Sequence, residues 1–241
     1  MIPQKSGLGS VGPPALGFAA RFADFRLRLS TRRFSKDVFS VSKWTGSMSS
    51  EEQRARWDLK YKQGLPSLTE PDPFFISAYE RVVDPLFPNA GVALDLAGGL
   101  GRHALWLARR RWQVTVVDLS DVAIGKLSQA AHELNVNLEL IVGDAFQYKF
   151  ETARFDLIVL FYHLDRNLFP KIVSALNSGG LLICKMSLRW NSDGLKVPSN
   201  PLDRDELPSL LSEMHVLYHH ERPVRDRGVV ELVARRGQHS F

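Results

Sequence analysis

From Ser50 onward two kinds of stretch alternate along the chain, one with apolar positions at a helical period and one with short unbroken apolar runs. Ser49 or Ser50 as an N-cap, with Glu51 and Glu52 in the first turn, predicts a helix over about 50–62. The prolines of "GLPSLTEPDP" exclude regular structure, and "PFFISAYERVVDPL" predicts a second helix. Five strands then interleave with helices: "GVALDLA", "QVTVVDLS", "NLELIVGDA", "FDLIVLFY" and "LLICKMS", the last preceded by a turn at "NSGG". The helices between them are "GRHALWLARRR", "DVAIGKLSQAAHEL" and "RNLFPKIVSAL". The fourth and fifth strands are nearly continuous apolar runs, as expected when helices cover both faces of a parallel sheet. "DRDELPSLLSEM" predicts a further helix, after which "HVLYHHERP" and "GVVELVARR" form a hairpin around the charged loop "VRDR". This order gives an α/β, Rossmann-like, doubly wound sheet, mostly parallel and finished by an antiparallel strand.

Composition narrows the class. A chain of 241 residues, 44% of them hydrophobic, can bury one sizeable core, and no apolar run is long enough to span a bilayer as a helix. Cys184 is the only cysteine, so no internal disulfide framework exists, and its place in "GLLICKM" reads as buried packing in a reducing, cytoplasmic setting. The net charge of +5 is concentrated in residues 1–47, where eight basic side chains face two acidic ones; residues 48–241 carry −1. That balance gives no bulk attraction to nucleic acid outside the tail. Residues 1–47 are read as a basic segment apart from the domain at 48–241: disordered, a start-site artefact, an organelle-targeting segment, or a functional arm.

The chemistry gathers at "VALDLAGGLGRHALWLARRRWQVTVVD". Gly99 and Gly101 allow a sharp turn and close approach to a ligand, since a side chain there would fill the space of its polar part. Asp95 ends the first strand and Asp118 the second, and in a parallel sheet both open onto one crevice, where Asp118 can accept the hydroxyls of a ribose. "GLGRHA" also fits the G-x-G-x-x-A of dinucleotide folds, which keeps an NAD(P)-dependent oxidoreductase as an alternative. Asp95 argues against it: an acid before the loop repels a pyrophosphate and attracts an ammonium or sulfonium. Asp144, in "VGDA", adds a third strand-end carboxylate within reach of an adenine amino group. Asp95 and Asp118, each taken alone, could simply cap the helices that follow them.

In this order and spacing, "ALDLAGGLGRHALWLA", "VTVVDLS", "LIVGDA", "FDLIVLFYHL" and "NSGGLLIC" resemble the successive motifs of class I S-adenosylmethionine-dependent methyltransferases. "RWDLKYKQG" and "EPDPFF" resemble the lead-in of the small-molecule branch with tellurite-resistance-type and thiopurine-type enzymes. The resemblance implies seven strands with the last inserted antiparallel, and S-adenosylmethionine over the ends of the first four. It implies that Asp95 and the loop Ala97, Gly98, Gly99 and Gly101 hold the methionine portion. It also implies Asp118 on the ribose, Leu119 on the adenine face, Asp144 with Ala145 at the adenine edge, and Phe161 beside the methyl. Ala97 stands where the family most often has a glycine, a change expected to be mild.

The expected acceptor is a small molecule, with a soft sulfur, selenium or tellurium nucleophile preferred, and no membrane partner. The "NPPY"-type motif of enzymes acting on amide or exocyclic amino nitrogens is replaced by "FYHL", so nucleic-acid bases are not expected. His163, Tyr162 and Arg189 are the candidate catalytic residues: a base of suitable intrinsic pKa, a neighbour after the fourth strand, and a cation for an anionic acceptor. Trp57 and Tyr61, at i and i+4, form either a lid or core packing. His103 and Trp106 are expected in packing or at the surface. His215 and His219 are four apart, a spacing that suits a helical metal pair, but "HVLYHH" predicts a strand on which His219 and His220 point to opposite faces, so no metal site is expected. A non-catalytic, cofactor-binding regulatory or assembly factor is the other alternative.

Overall fold

The structure is a computed structural model that describes residues 49–64, 70–190 and 198–237; the basic segment 1–47 lies outside the described residues. Seven strands form one sheet: β1 Val92–Leu96, β2 Gln113–Asp118, β3 Leu138–Val142, β4 Phe155–Phe161, β5 Leu176–Leu188, β6 Met214–Val224 and β7 Arg227–Arg236. Their order is β3-β2-β1-β4-β5-β7-β6. β1 to β5 pair in parallel, and β7 runs antiparallel to both β5 and β6, so the final strand is the inserted, reversed one. The strand order changes direction at β1, between β2 and β4, and this switch point opens a crevice at the carboxyl ends of these strands.

The helices are α1 Ser50–Lys62, α2 Pro73–Ala78, α3 Asp84–Leu86, α4 Arg102–Ala108, α5 Asp121–Glu133, α6 Leu168–Ala175 and α7 Glu206–Leu210. α1 carries a full capping box, in which Ser49 and Glu52 satisfy each other's backbone N–H groups. Between α2 and α3 the predicted single helix widens into a π turn at Tyr79–Val83, just before Pro85, whose ring and missing N–H disfavour an ordinary turn there. Ala93 to Leu96 of β1 and Leu157 to Leu160 of β4 are buried on both faces, as apolar central strands require. Leu94, Leu96, Ile158, Leu160, Leu182 and Cys184 belong to one apolar core with Leu168, Phe169 and Ile172 of α6.

Two predicted boundaries differ. "NSGG" is not a turn ahead of β5 but a bulge inside it: Leu176 pairs with Phe155 and Leu181 with Leu157. Gly179 supplies a left-handed φ of +79°, and Gly180 leaves no room for a Cβ between the carbonyls of Asn177 and Phe155. The Arg235 guanidinium donates to the Gly179 carbonyl at 3.1 Å and holds the bulge from β7. The predicted helix over 203–214 shrinks to α7, because Pro208 interrupts its N–H ladder and Met214 is taken by pairing with Arg236. Among the described residues no helix is long and apolar enough to cross a membrane.

Candidate functional site

Register fixes the layout of the crevice. Leu96 is opposite Val117 on one side and Leu160 on the other, so Ala97, Asp118 and Phe161 come next at one level; Asp118 in turn pairs with Val142, two residues before Asp144. Asp95, two residues earlier than Ala97, is buried beneath the glycine loop, its Oδ2 3.2 Å from where a Cβ on Gly98 would stand. Burial pushes the Asp95 carboxyl up to about 7, against the pull of the Arg102 guanidinium and the Ala104 N–H, while Asp118 adds to the rise. Its Oδ2 has no hydrogen-bond partner among the described residues. A buried carboxylate oxygen left without a donor among the described residues, next to a glycine-rich loop, fits a cationic ligand group.

Asp118 is also buried. Its Oδ2 accepts the Gly99 N–H at 2.8 Å and its Oδ1 the Ser120 N–H at 2.9 Å, so it sets the loop conformation as well as facing the crevice. Burial raises its carboxyl above the ordinary range, and the N–H groups of Ser120 and Gly99 and the nearby His163 oppose that rise. Asp144 accepts the Phe146 N–H at 2.9 Å on Oδ1 and the Ser50 hydroxyl at 2.9 Å on Oδ2. His163 lies within the field of Asp144, Asp165 and Asp118; burial outweighs them and lowers its pKa, which keeps the imidazole neutral at pH 7. The three aspartates and His163 therefore share one electrostatic neighbourhood.

The loop departs from expectation in two ways. Gly101, at φ +73°, is required by packing and not by ligand space: a Cβ there would lie 2.3 Å from Leu127 Cδ1 of α5. Only at Gly99 does the added carbon point into the crevice, where it would meet the Tyr61 hydroxyl at 2.6 Å. Ala97 takes φ +52°, a left-handed conformation that strains any residue with a Cβ, so the departure from glycine concerns backbone strain and not methyl bulk alone. Ala97→Gly is expected to raise stability by about 1 kcal/mol in thermal melts. An unchanged or lowered melting temperature would show that the loop relaxes around alanine.

Tyr61 and its helix complete the picture. α1 crosses the strand ends, with Ser50 donating to Asp144, the Ser120 hydroxyl donating to Asp58, and Lys126 of α5 donating to the Tyr61 carbonyl. Trp57 stacks on Tyr61 with ring centroids 5.8 Å apart and stays 37% exposed, so the pair covers the crevice instead of filling the core. Ser50 and Asp58 were not legible as site residues, since nothing in the sequence spacing ties them to Asp144 or Ser120.

The remaining candidates fall into two groups. Phe161 packs between His103 at 4.4 Å and Phe74 at 6.2 Å, with the Arg102 guanidinium 5.9 Å from its ring. Tyr162 follows at φ +59°, an unusual conformation for an aromatic residue, held by its N–H to the Lys185 carbonyl at 2.8 Å. Tyr162 is 45% exposed, so desolvation by the surrounding strand ends raises its phenol pKa only in part, and the phenol stays a donor. Leu119 is half-buried beside Asp118, whereas the Ala145 side chain belongs to the apolar core, leaving its backbone as the part that can face a ligand. Arg189 is set apart, bound to Asp203 at 2.7 Å in a groove with Trp190 and Arg204. His103 is a packing residue, as expected: its Nε2 accepts the Asp72 N–H at 3.3 Å, and burial holds its pKa well down.

Residues 93–180 match the family described as "Methyltransferase domain". No curated protein matches the chain. Among solved structures, TehB from Haemophilus influenzae is similar at 17% identity over 77% of this chain and 67% of its own, with a TM-score of 0.60. The Burkholderia thailandensis 1,6-didemethyltoxoflavin-N1-methyltransferase, solved with its substrate and S-adenosylhomocysteine, gives 17% identity, 81% and 94% coverage, and a TM-score of 0.62. The [4+2]-cyclase SpnF gives 16% identity, 79% and 97% coverage, and a TM-score of 0.62.

Proposed function

We propose, from the premise that residues 93–180 are a methyltransferase domain on the class I fold, that the chain transfers a methyl group from S-adenosylmethionine to a small molecule. What supports this reading is the placement of Asp95, Asp118 and Asp144 at the ends of neighbouring parallel strands, with Asp95 Oδ2 buried and without a hydrogen-bond partner among the described residues. S-adenosylmethionine supplies an electrophilic methyl on a sulfonium that is already a good leaving group. Asp95 attracts the donor's positive charges, Asp118 accepts ribose hydroxyl hydrogens, Asp144 takes the adenine amino edge, and Leu119 packs on its face. Ala97, Gly98, Gly99 and Gly101 bring the backbone close to the methionine portion, and Tyr61 covers it. Phe161 and the rings behind it exclude water beside the methyl, which leaves alignment as the main source of acceleration.

The acceptor assigned here is a soft sulfur, selenium or tellurium nucleophile. A thiol acceptor arrives largely protonated near neutral pH, and a neutral His163 beside the crevice can take its proton; selenols and tellurite arrive ionised and need no base. The Tyr162 phenol donates to the acceptor, whereas Arg189, held by Asp203 in a separate groove, takes no part in this reading. Transfer of labelled methyl from S-adenosylmethionine across thiols, selenols, tellurite and amines tests this. Label in the soft nucleophiles alone is the expected result, and label confined to amines would overturn the acceptor class.

The Asp95 carboxyl gives the reading a pH signature. Its ionised form is the one that attracts a cationic donor, so S-adenosylmethionine is expected to bind roughly tenfold tighter at pH 8 than at pH 6, as the group ionises through about 7. In the donor-free protein the sign reverses. The folded-state value lies above the unfolded one near 3.9, so the folded state holds the extra proton between them and stability falls as pH rises from about 4 to about 7. Donor titrations and urea melts across that range measure both slopes; equal affinity at pH 6 and pH 8 would remove Asp95 from the donor site.

A further inference from the structure

Lys185 stands between Cys184 and Met186 in an otherwise apolar, buried stretch of β5. Its Nζ lies 3.0 Å from both oxygens of Asp72 and 3.0 Å from Glu231 Oε1. Glu231, fully buried, also accepts the Arg222 guanidinium at 2.9 Å and 3.3 Å. Two acids and two bases thus neutralise one another where a sheet interior would be as well filled by apolar side chains.

Part of this group has a purely structural explanation. Lys185 is directly opposite Glu231 in the antiparallel pairing of β5 with β7, so the pair specifies the register of the inserted strand. That account leaves Asp72 over. Asp72 is not in the sheet; it caps α2 through the Phe74 N–H at 2.9 Å, and its own N–H goes to His103 of α4. It is the point where the chain arriving from α1 is tied at once to β5 and to the helix after the glycine loop.

α1 needs such a tie. None of its residues is buried, and its attachment to the strand ends is largely polar, through Ser50, Asp58 and the Tyr61 carbonyl. An element held by few apolar contacts opens at low cost, and a fixed chain end nearby raises its effective concentration at its docking site. We propose that the buried Asp72–Lys185 ion pair is the anchor that keeps α1 across the crevice, making both side chains positioning residues for the cover over the donor. The donor part of this inference rests on the function proposed above; the α1 part does not.

Asp72→Ser tests it, because serine caps a helix as well as aspartate but is too short to reach Lys185, which keeps Glu231. Hydrogen exchange is followed in the donor-free protein for amides of α1 and, as an internal standard, of β1, β4 and β5. The expected result is at least fivefold faster exchange in α1 with the sheet unchanged, together with S-adenosylhomocysteine binding weakened about fivefold. Asp72→Asn, which preserves the cap and a neutral hydrogen bond to Lys185, is expected to fall between wild type and Asp72→Ser, and provides the comparison should Asp72→Ser not fold. Wild-type exchange in α1, or an acceleration shared equally by the sheet, would overturn the anchor. Wild-type protein that binds no S-adenosylhomocysteine would instead overturn the donor reading and leave the exchange result to decide the anchor.

Discussion

Asp118→Ala is expected to weaken S-adenosylhomocysteine binding by about 1–3 kcal/mol, roughly 5- to 150-fold, while the protein stays folded. Two losses combine. On the proposed function the ribose hydroxyls lose their acceptor, and the Gly99 and Ser120 N–H groups that the carboxylate fixes at 2.8 Å and 2.9 Å lose theirs, which loosens the glycine loop. Calorimetric titration separates the variant from wild type, with a far-ultraviolet spectrum as the check on folding. Unaltered affinity in a folded variant would mean that the second strand end does not touch the ribose.

The largest effect on stability is expected at Lys185. Lys185→Met removes the cation from between Asp72 and Glu231 and leaves the buried Asp72 carboxylate without its cation, while Glu231 keeps Arg222, at a cost of about 3–5 kcal/mol in urea unfolding. Adding Asp72→Asn removes the stranded charge, and the pair of substitutions should recover part of that loss. A Lys185→Met variant within 1 kcal/mol of wild type would show that water reaches the cluster, and that the ion pair contributes little.

How far the sequence announced this molecule depended on what kind of constraint each residue obeys. The apolar runs of β4 and β5 dictated a covered parallel sheet, and the hairpin pattern at the end dictated the reversed β7; both follow from local periodicity and appear as expected. "NSGG" misled because glycines and a short polar pair also make a bulge, and the Arg235 contact that holds it comes from a distant strand. The three strand-end aspartates were legible because parallel pairing brings strand ends together whatever the helices do. The reason for Gly101 was not, since Leu127 meets it only after α5 has packed. Lys185 and Glu231 did carry a signal, each a lone charge inside a strand that otherwise reads as buried. Asp72 carried none, because its partner lies 113 positions away.

A crystal structure of the protein with S-adenosylhomocysteine tests the central claim most directly. The account predicts both ribose hydroxyls within about 3.2 Å of the Asp118 carboxylate, the adenine amino group beside Asp144, and the sulfur near Phe161 under the cover of Tyr61. Ligand density elsewhere on the molecule, or a ribose turned away from Asp118, would contradict it.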